Sequence, residues 1–348
     1  MSFLDWFLGK REAESPETAA AIDSLIKTID PRLLAISDAP AQLAPAVANA
    51  LTFCRRVANE MPGPLDASLA HWRAAPLLCA LFARSDELQQ TFSRQDEVRD
   101  YLDEQPLAPQ FYALLGAVCE ERKDFGVVLE NEALRSDVAV TSLNFARHRI
   151  FLPRVELATF SRDLVWALFQ QLTLEILHQL SQMKEDAAER REEIAFLRAQ
   201  LAYHGQQDGL GEMLTLAVPE KTEKTEKTEK TANADAPETL ESLARQLAER
   251  EAALKTADAP LQNLENTLRW IIQRLADPAR LFNVRTFCYR INNINQVVAD
   301  DQPGLDLRFC HFSVHAPTPR QGILLRVAYP VDELLPRRQI AAQRAQLL

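Results

Sequence analysis

The chain has 348 residues, of which 47% are hydrophobic and 25% are charged, a composition typical of ordinary globular proteins. Its net charge of −10 and pI near 5.3 argue against a general binder of nucleic acid or anionic membranes, because phosphate contacts need clustered Lys and Arg. Only 9 glycines stand against 19 prolines, so helix should dominate and glycine-rich phosphate loops have little material.

Residues 1–15 comprise an apolar segment and an acidic spacer. On a helix, its large side chains pair at i, i+4 and form one adhesive face. Three interpretations stay open: the segment folds back on its own domain, docks on a partner protein, or touches a membrane, the last being least favoured because two cations bind bilayers poorly. The segment lacks the basic start and cleavage site of a secretory signal, which predicts a cytoplasmic protein. The candidate partner-binding residues are Phe3, Leu4, Trp6, Phe7 and Leu8.

Residues 16–123 form a predicted helical domain of short helices separated by prolines. Ser15 followed by Pro16 is a typical helix start, and an apolar stripe runs from there to Ile29. Further helices are expected over about residues 42–60, 66–82, 86–103 and 109–122.

The spacing of apolar residues then changes from about 3.6, typical of a helix, to 2, typical of a strand. This change predicts two β-strands over residues 124–153. Arg147 and Arg149 flank His148 and share the opposite strand face, with Arg154 just beyond. This cationic stripe predicts an anion site at Arg147, Arg149 and Arg154. Pairing with Glu130 or Glu132 on the neighbouring strand is the structural alternative.

A long helix over residues 158–204 carries an apolar stripe that narrows to a heptad seam, which suits one partner helix. Residues 205–237, with four Glu-Lys-Thr repeats, predict a disordered linker. The seam resumes in residues 238–277, so an antiparallel coiled-coil hairpin is expected, with pairing between chains as an open alternative. The seam residues are Leu180, Met183, Ala187, Ile194, Leu197, Leu201, Leu240, Leu243, Leu247 and Leu254.

Residues 281–335 predict a three-stranded antiparallel meander that shares one sheet with the earlier strands at the base of the hairpin, and residues 336–348 form a tail. His311 and His315 lie four apart on one strand face, with Cys310 pointing away. Two imidazoles are too few for a metal site, so partly exposed histidines are the favoured interpretation. The five scattered cysteines indicate free thiols in a reducing compartment.

The predicted fold class is mainly α within α+β: an N-terminal helical domain, a long coiled-coil hairpin and a small antiparallel sheet. No nucleophile elbow, phosphate loop, dinucleotide fingerprint or zinc-protease motif is present. We therefore predict a non-enzymatic cytoplasmic scaffold that binds partner proteins, with no cofactor and no metal. A small-ligand protein or enzyme with an anion pocket, and a peripheral membrane protein, are the alternatives.

Overall fold

The computed structural model describes residues 15–130, 133–216, 240–314 and 320–340, which form a mixed α+β fold. The helices are α1 Pro16–Ile29, α2 Ala39–Glu60, α3 Pro76–Leu81, α4 Ser85–Ser93, α5 Asp96–Asp103, α6 Leu157–Leu216, α7 Leu240–Ala257 and α8 Leu264–Ala276. The strands are β1 Leu65–Asp66, β2 Gln110–Glu130, β3 Ala133–Arg154, β4 Phe282–Ile291, β5 Leu305–Val314 and β6 Arg320–Pro330. Single 3₁₀ turns lie at Pro31–Ala35, Trp72–Ala74, Ala259–Leu261, Pro278–Arg280 and Val331–Glu333. The described residues up to 176 and from 272 onward form one compact unit, and those between 177 and 271 form a second.

Helix α1 begins at the predicted position because its first turn is capped by a side chain. The Ser15 hydroxyl accepts a hydrogen bond from the Thr18 backbone N–H at 3.1 Å, and Pro16 occupies the first turn. The stripe that follows, with Leu25 and Ile26 fully buried, packs against α2. The sequence pattern and the packing therefore agree over these helices.

The predicted helix over residues 109–122 is wrong, and so is the helical domain that extended to residue 123. These residues belong to β2, which begins at Gln110. The stretch from Phe111 to Val118 is apolar at nearly every position, so it fits both the helical spacing of about 3.6 residues and the strand spacing of 2. Alternate residues are the buried ones on the inner face of the sheet: Phe111, Ala113, Leu115 and Ala117.

Residues 66–103 also differ from their prediction of two long helices. Strand β1 and a 3₁₀ turn precede the short helix α3, and the expected helix over 86–103 is split into α4 and α5. The Arg99 guanidinium donates to the Ser93 carbonyl at the end of α4, so a side chain occupies an acceptor that a continuous helix would use.

The strands form one curled sheet in the order β3-β2-β6-β5-β4, and β1 pairs in parallel with β6. All the other pairings are antiparallel, and β4, β5 and β6 are consecutive neighbours. The curl brings the loop after β4 back to β3, where the Leu143 N–H donates to the Asn295 carbonyl and the Val297 N–H donates to the Thr141 carbonyl. The inner face packs against α3, α4 and α5 around Phe92, Phe111 and Tyr329, whose rings touch.

Two irregularities reverse the inside-outside alternation of β3. Arg147 and Leu152 have φ values of 56° and 58°, and the pairing register with β2 shifts at both places. Leu143 and Phe145 are buried before the first shift, whereas Ile150 is buried after it. The strand therefore keeps apolar side chains inward although their spacing changes parity.

The second unit contains α6 from Leu177 onward, α7 and α8 as far as Ile271. The predicted linker over 205–237 is wrong for residues 205–216, which continue α6. Glycine disfavours a helix by only about 1 kcal/mol relative to alanine, so three spaced glycines do not stop one. Residues 217–239, including the Glu-Lys-Thr repeats, lie outside the described ranges. No described helix has both the length and the apolar character needed to cross a bilayer.

Candidate functional site

A cleft of about 750 Å³ lies in the first unit between α1, α2, the first turns of α6 and β6. Its volume falls within the range of roughly 300–1,000 Å³ that is usual for ligand sites. The lining residues are Glu17, Ala20, Arg55, Ala58, Asn59, residues 161–166 and Arg326.

The apolar wall of the cleft comes from the start of α6. Phe160, Leu164 and Leu168 follow helical spacing and are buried, which fixes the helix against the core. The intervening Val165 and Trp166 are half-buried and line the cleft. The Trp166 ring lies 6.0 Å from the Phe169 ring, so a core residue supports it.

Most of the charged groups around the cleft are already paired. The Arg55 guanidinium lies 2.5 Å from the Glu17 carboxylate. Asp163 accepts from Arg154 at 2.6 Å and from Arg162 at 3.2 Å. These two carboxylates therefore offset the positive charge of Arg55 and Arg162, which line the cleft, and of Arg154.

Arg326 differs from these arginines because no carboxylate lies within ion-pair distance of it in the described parts of the chain. Its Nη2 donates to the carbonyls of Met61 and Gly63, both at 2.7 Å, and its Nε is buried with no hydrogen-bond partner among the described residues. Burial lowers the pKa of this guanidinium. The cleft thus contains a partly desolvated positive charge for which the described residues supply no counter-ion.

Sequence reasoning missed Arg326, although its setting gave a usable signal. It is the only charged residue in the stretch from Ile323 to Tyr329, where neighbouring Leu325 and Val327 are buried on the inner face. A lone arginine in an apolar strand has to find partners on the other face, and such positions are often functional. Trp166 gave no such signal, because it fits an ordinary helical stripe.

The three arginines of the predicted anion site have different surroundings. Arg147 and Arg149 are exposed, and Arg149 pairs with Gly116 across the strands. Arg154 is half-buried, bonded to Asp163 and placed 5.4 Å from the centre of the Tyr101 ring. Because the Arg154 guanidinium is already paired with the Asp163 carboxylate, the arrangement gives no support to a three-arginine anion pocket.

His148, between two of these arginines, is half-buried and stacks on Phe82 with ring centres 4.4 Å apart. Burial lowers its pKa, against smaller opposing contributions from Glu87 and from a hydrogen bond with the backbone of Leu81. Its Nε2 has no hydrogen-bond partner in the described structure. The imidazole is therefore held as a neutral group in an apolar setting.

Two of the three metal-like residues in or near β5, Cys310 and His311, are described, and their surroundings differ. Cys310 is buried near the Glu60 carbonyl, whereas the His311 ring contacts Phe287, and His315 lies outside the described residues. Within the described ranges, no group of three or more potential ligand side chains converges. The cysteines are free, and burial raises the pKa of the Cys54 thiol to about 12 and that of Cys119 to about 11.

In the second unit, three ion pairs join α6 to the segment from α7 to Asp258. Arg191 pairs with Asp258, Glu193 with Arg250 at 3.2 Å, and Arg198 with Glu251 at 2.6 Å. Among the predicted seam residues, Leu180, Ala187, Ile194, Leu197 and Leu243 are buried, while Met183, Leu201, Leu247 and Leu254 are half-buried. The side chain of Leu240 and the apolar residues 3–8 lie outside the described part of the chain.

The other face of this part of α6 carries an exposed aromatic residue among acidic ones. The Phe196 side chain is 64% exposed and lines a shallow depression. The depression is also lined by Asp186, Glu189, Arg190, Glu192, Glu193 and Arg250. Comparisons with protein-family models, curated proteins and solved structures give no match.

Proposed function

We propose that this chain is a non-enzymatic interaction protein of the cytoplasm whose docking surface is an antiparallel coiled-coil hairpin made by α6 and α7. The observation that carries the proposal is the order of the ion pairs. The earliest residue on α6, Arg191, pairs with Asp258. The two later residues, Glu193 and Arg198, pair with Arg250 and Glu251, which precede Asp258 by about two helical turns. Two helices paired in this way in one chain form an antiparallel hairpin.

Burial supports the same pairing. Ile194 and Leu197 are 4% and 8% exposed on the α6 seam, whereas Phe196 between them is 64% exposed. A helix whose partner covers a single stripe shows this contrast between adjacent residues. The hairpin therefore leaves its outer face available for a partner.

The outer face indicates the chemistry of that partner. Glu189, Glu192 and Phe196 are separated by three, four and seven positions, so they share one side of α6. The depression around the exposed ring is lined by four carboxylates and two arginines, so acidic groups predominate there. Such a surface suits a segment that combines an apolar anchor with Lys or Arg. We therefore expect a basic amphipathic segment as the partner.

Affinity capture from the native cell extract, followed by mass spectrometry, tests the proposal with three variants of the full chain. Phe196→Ser and the double change Glu189→Lys with Glu192→Lys should each remove the same specific partners. Phe125→Ser is the matched control, because Phe125 is 79% exposed on β2, in the first unit, and should leave those partners bound.

Partners should also dissociate as salt rises, since exposed charge pairs are screened beyond about 10 Å at 0.1 M ionic strength. An identical set of partners on all variants would reject the hairpin surface. Docking through residues 3–8 and a membrane-anchoring role for them stay predictions of the sequence, because those residues lie outside the described ranges.

A further inference from the structure

We propose that the cleft between α1, α2, α6 and β6 is the docking site of this chain's own apolar segment, residues 3–8, with Asp5 facing Arg326. The inference does not depend on the hairpin proposal, because the cleft belongs entirely to the first unit.

The cleft has the surface that such a segment needs. It holds about 750 Å³, enough for several large apolar side chains, and Ala20, Val165 and Trp166 contribute to its lining. Trp166 and Val165 lie on a helix that the buried Leu164 fixes in place, so the wall is formed before anything binds.

The charges of the cleft and the segment are complementary. Arg326 presents a partly desolvated guanidinium whose described hydrogen bonds all leave from Nη2 toward carbonyls, and whose Nε is buried without a partner among described residues. The apolar segment Phe3 to Leu8 contains one charged residue, Asp5. A carboxylate beside Arg326 would supply the counter-ion that the cleft lacks, through a charge-assisted hydrogen bond.

The segment is also within reach. It precedes α1, whose residues Glu17 and Ala20 line the cleft. Phe7 is only ten positions before Glu17 in the sequence. A connection of this length gives an effective concentration of roughly millimolar. A modest intrinsic affinity is therefore sufficient to keep the segment docked.

Fluorine NMR of the full chain labelled with 5-fluorotryptophan tests the proposal, with the Trp6 signal assigned by Trp6→Phe. In the unaltered protein, the Trp6 resonance should be displaced from its random-coil position and broadened. Asp5→Lys should lower the docked-to-free ratio roughly tenfold or more, because a hydrogen bond to a charged group is lost and repulsion replaces it.

Two exposed positions on α1 provide a matched pair of variants. Ala20 lines the cleft and Ala19 does not, although both are exposed. Ala20→Phe should fill the cleft and return Trp6 to its random-coil position, whereas Ala19→Phe should leave the Trp6 signal unchanged. The Trp166 resonance should move together with that of Trp6, since both rings meet in the cleft.

Three results would each overturn the inference. The first is a Trp6 signal at its random-coil position in the unaltered chain, which would leave the segment free for a partner or a bilayer. The second is a displaced Trp6 signal that ignores Ala20→Phe, which would place the segment elsewhere. The third is a displacement that fades on dilution, which would identify a second copy as the source of the segment.

Discussion

Arg147 is a β-strand residue with a backbone conformation that strands rarely contain. Its φ of 56° lies in the left-handed region, where a β-branched side chain is strongly disfavoured. Replacing it by valine should lower the free energy of unfolding by about 1 kcal/mol. Arg149→Val is the control, because Arg149 is also exposed on β3 but has no positive φ. Urea unfolding measures both, and equal midpoints would contradict the assigned irregularity.

His148 should make stability depend on pH in a defined direction. Because its folded-state pKa lies below the ordinary value of 6.5, the unfolded chain binds a proton that the folded chain resists. The free energy of unfolding should therefore fall as pH drops from about 7.5 toward 5.5, by no more than about 1 kcal/mol from this residue.

His148→Phe isolates that contribution. Phenylalanine keeps the contact with Phe82, removes the buried Nε2 and cannot take up a proton. The variant loses the hydrogen bond with the Leu81 backbone at every pH, but its stability relative to the parent should rise as pH falls. Urea unfolding across this range provides the measurement, and a difference that stays constant with pH would show that His148 is not the titrating group.

At the scale of an element, the proposed hairpin predicts which residues of α6 stabilise the second unit. Asp at both Ile194 and Leu197 would place carboxylates in a buried seam, and the second unit should lose about 3 kcal/mol or more of stability. Phe196→Asp lies on the same turn but is exposed, so it should leave thermal unfolding nearly unchanged. Far-UV circular dichroism during heating compares them, and equal melting of the two variants would reject the seam.

The elements that the sequence predicts well are those whose signals are local. The start of α1 depends on the Ser15 cap and Pro16, both visible in the sequence. The error over 109–122 has a different cause. The run from Phe111 to Val118 is apolar at nearly every position, so its spacing fits a helix and a strand equally well. Only pairing with β3 and β6 makes it a strand.

The candidate cleft could be predicted only in part, for the same physical reason. Trp166 and Ala20 are ordinary helix residues 146 positions apart in the chain, and only folding brings their helices to one cleft. The irregularity at Arg147 likewise depends on register with β2. Arg326 is the exception, because a single charged residue in an otherwise apolar strand can be recognised in the sequence.

For the whole molecule, the central prediction concerns whether the proposed hairpin forms within one chain or between two. Two ion pairs join α6 to α7 and a third joins α6 to Asp258, the residue after α7, all within a single chain, and residues 217–239 connect the two helices. A connection of this kind gives an effective concentration of roughly millimolar, about a thousandfold above a micromolar solution, which favours internal pairing by about 4 kcal/mol. The protein should therefore be monomeric in sedimentation equilibrium at micromolar concentration, with a Tm that does not change with protein concentration. Exchange of α7 between chains would instead give a dimer whose Tm rises with concentration, and that result would replace the internal hairpin by an intermolecular coiled coil.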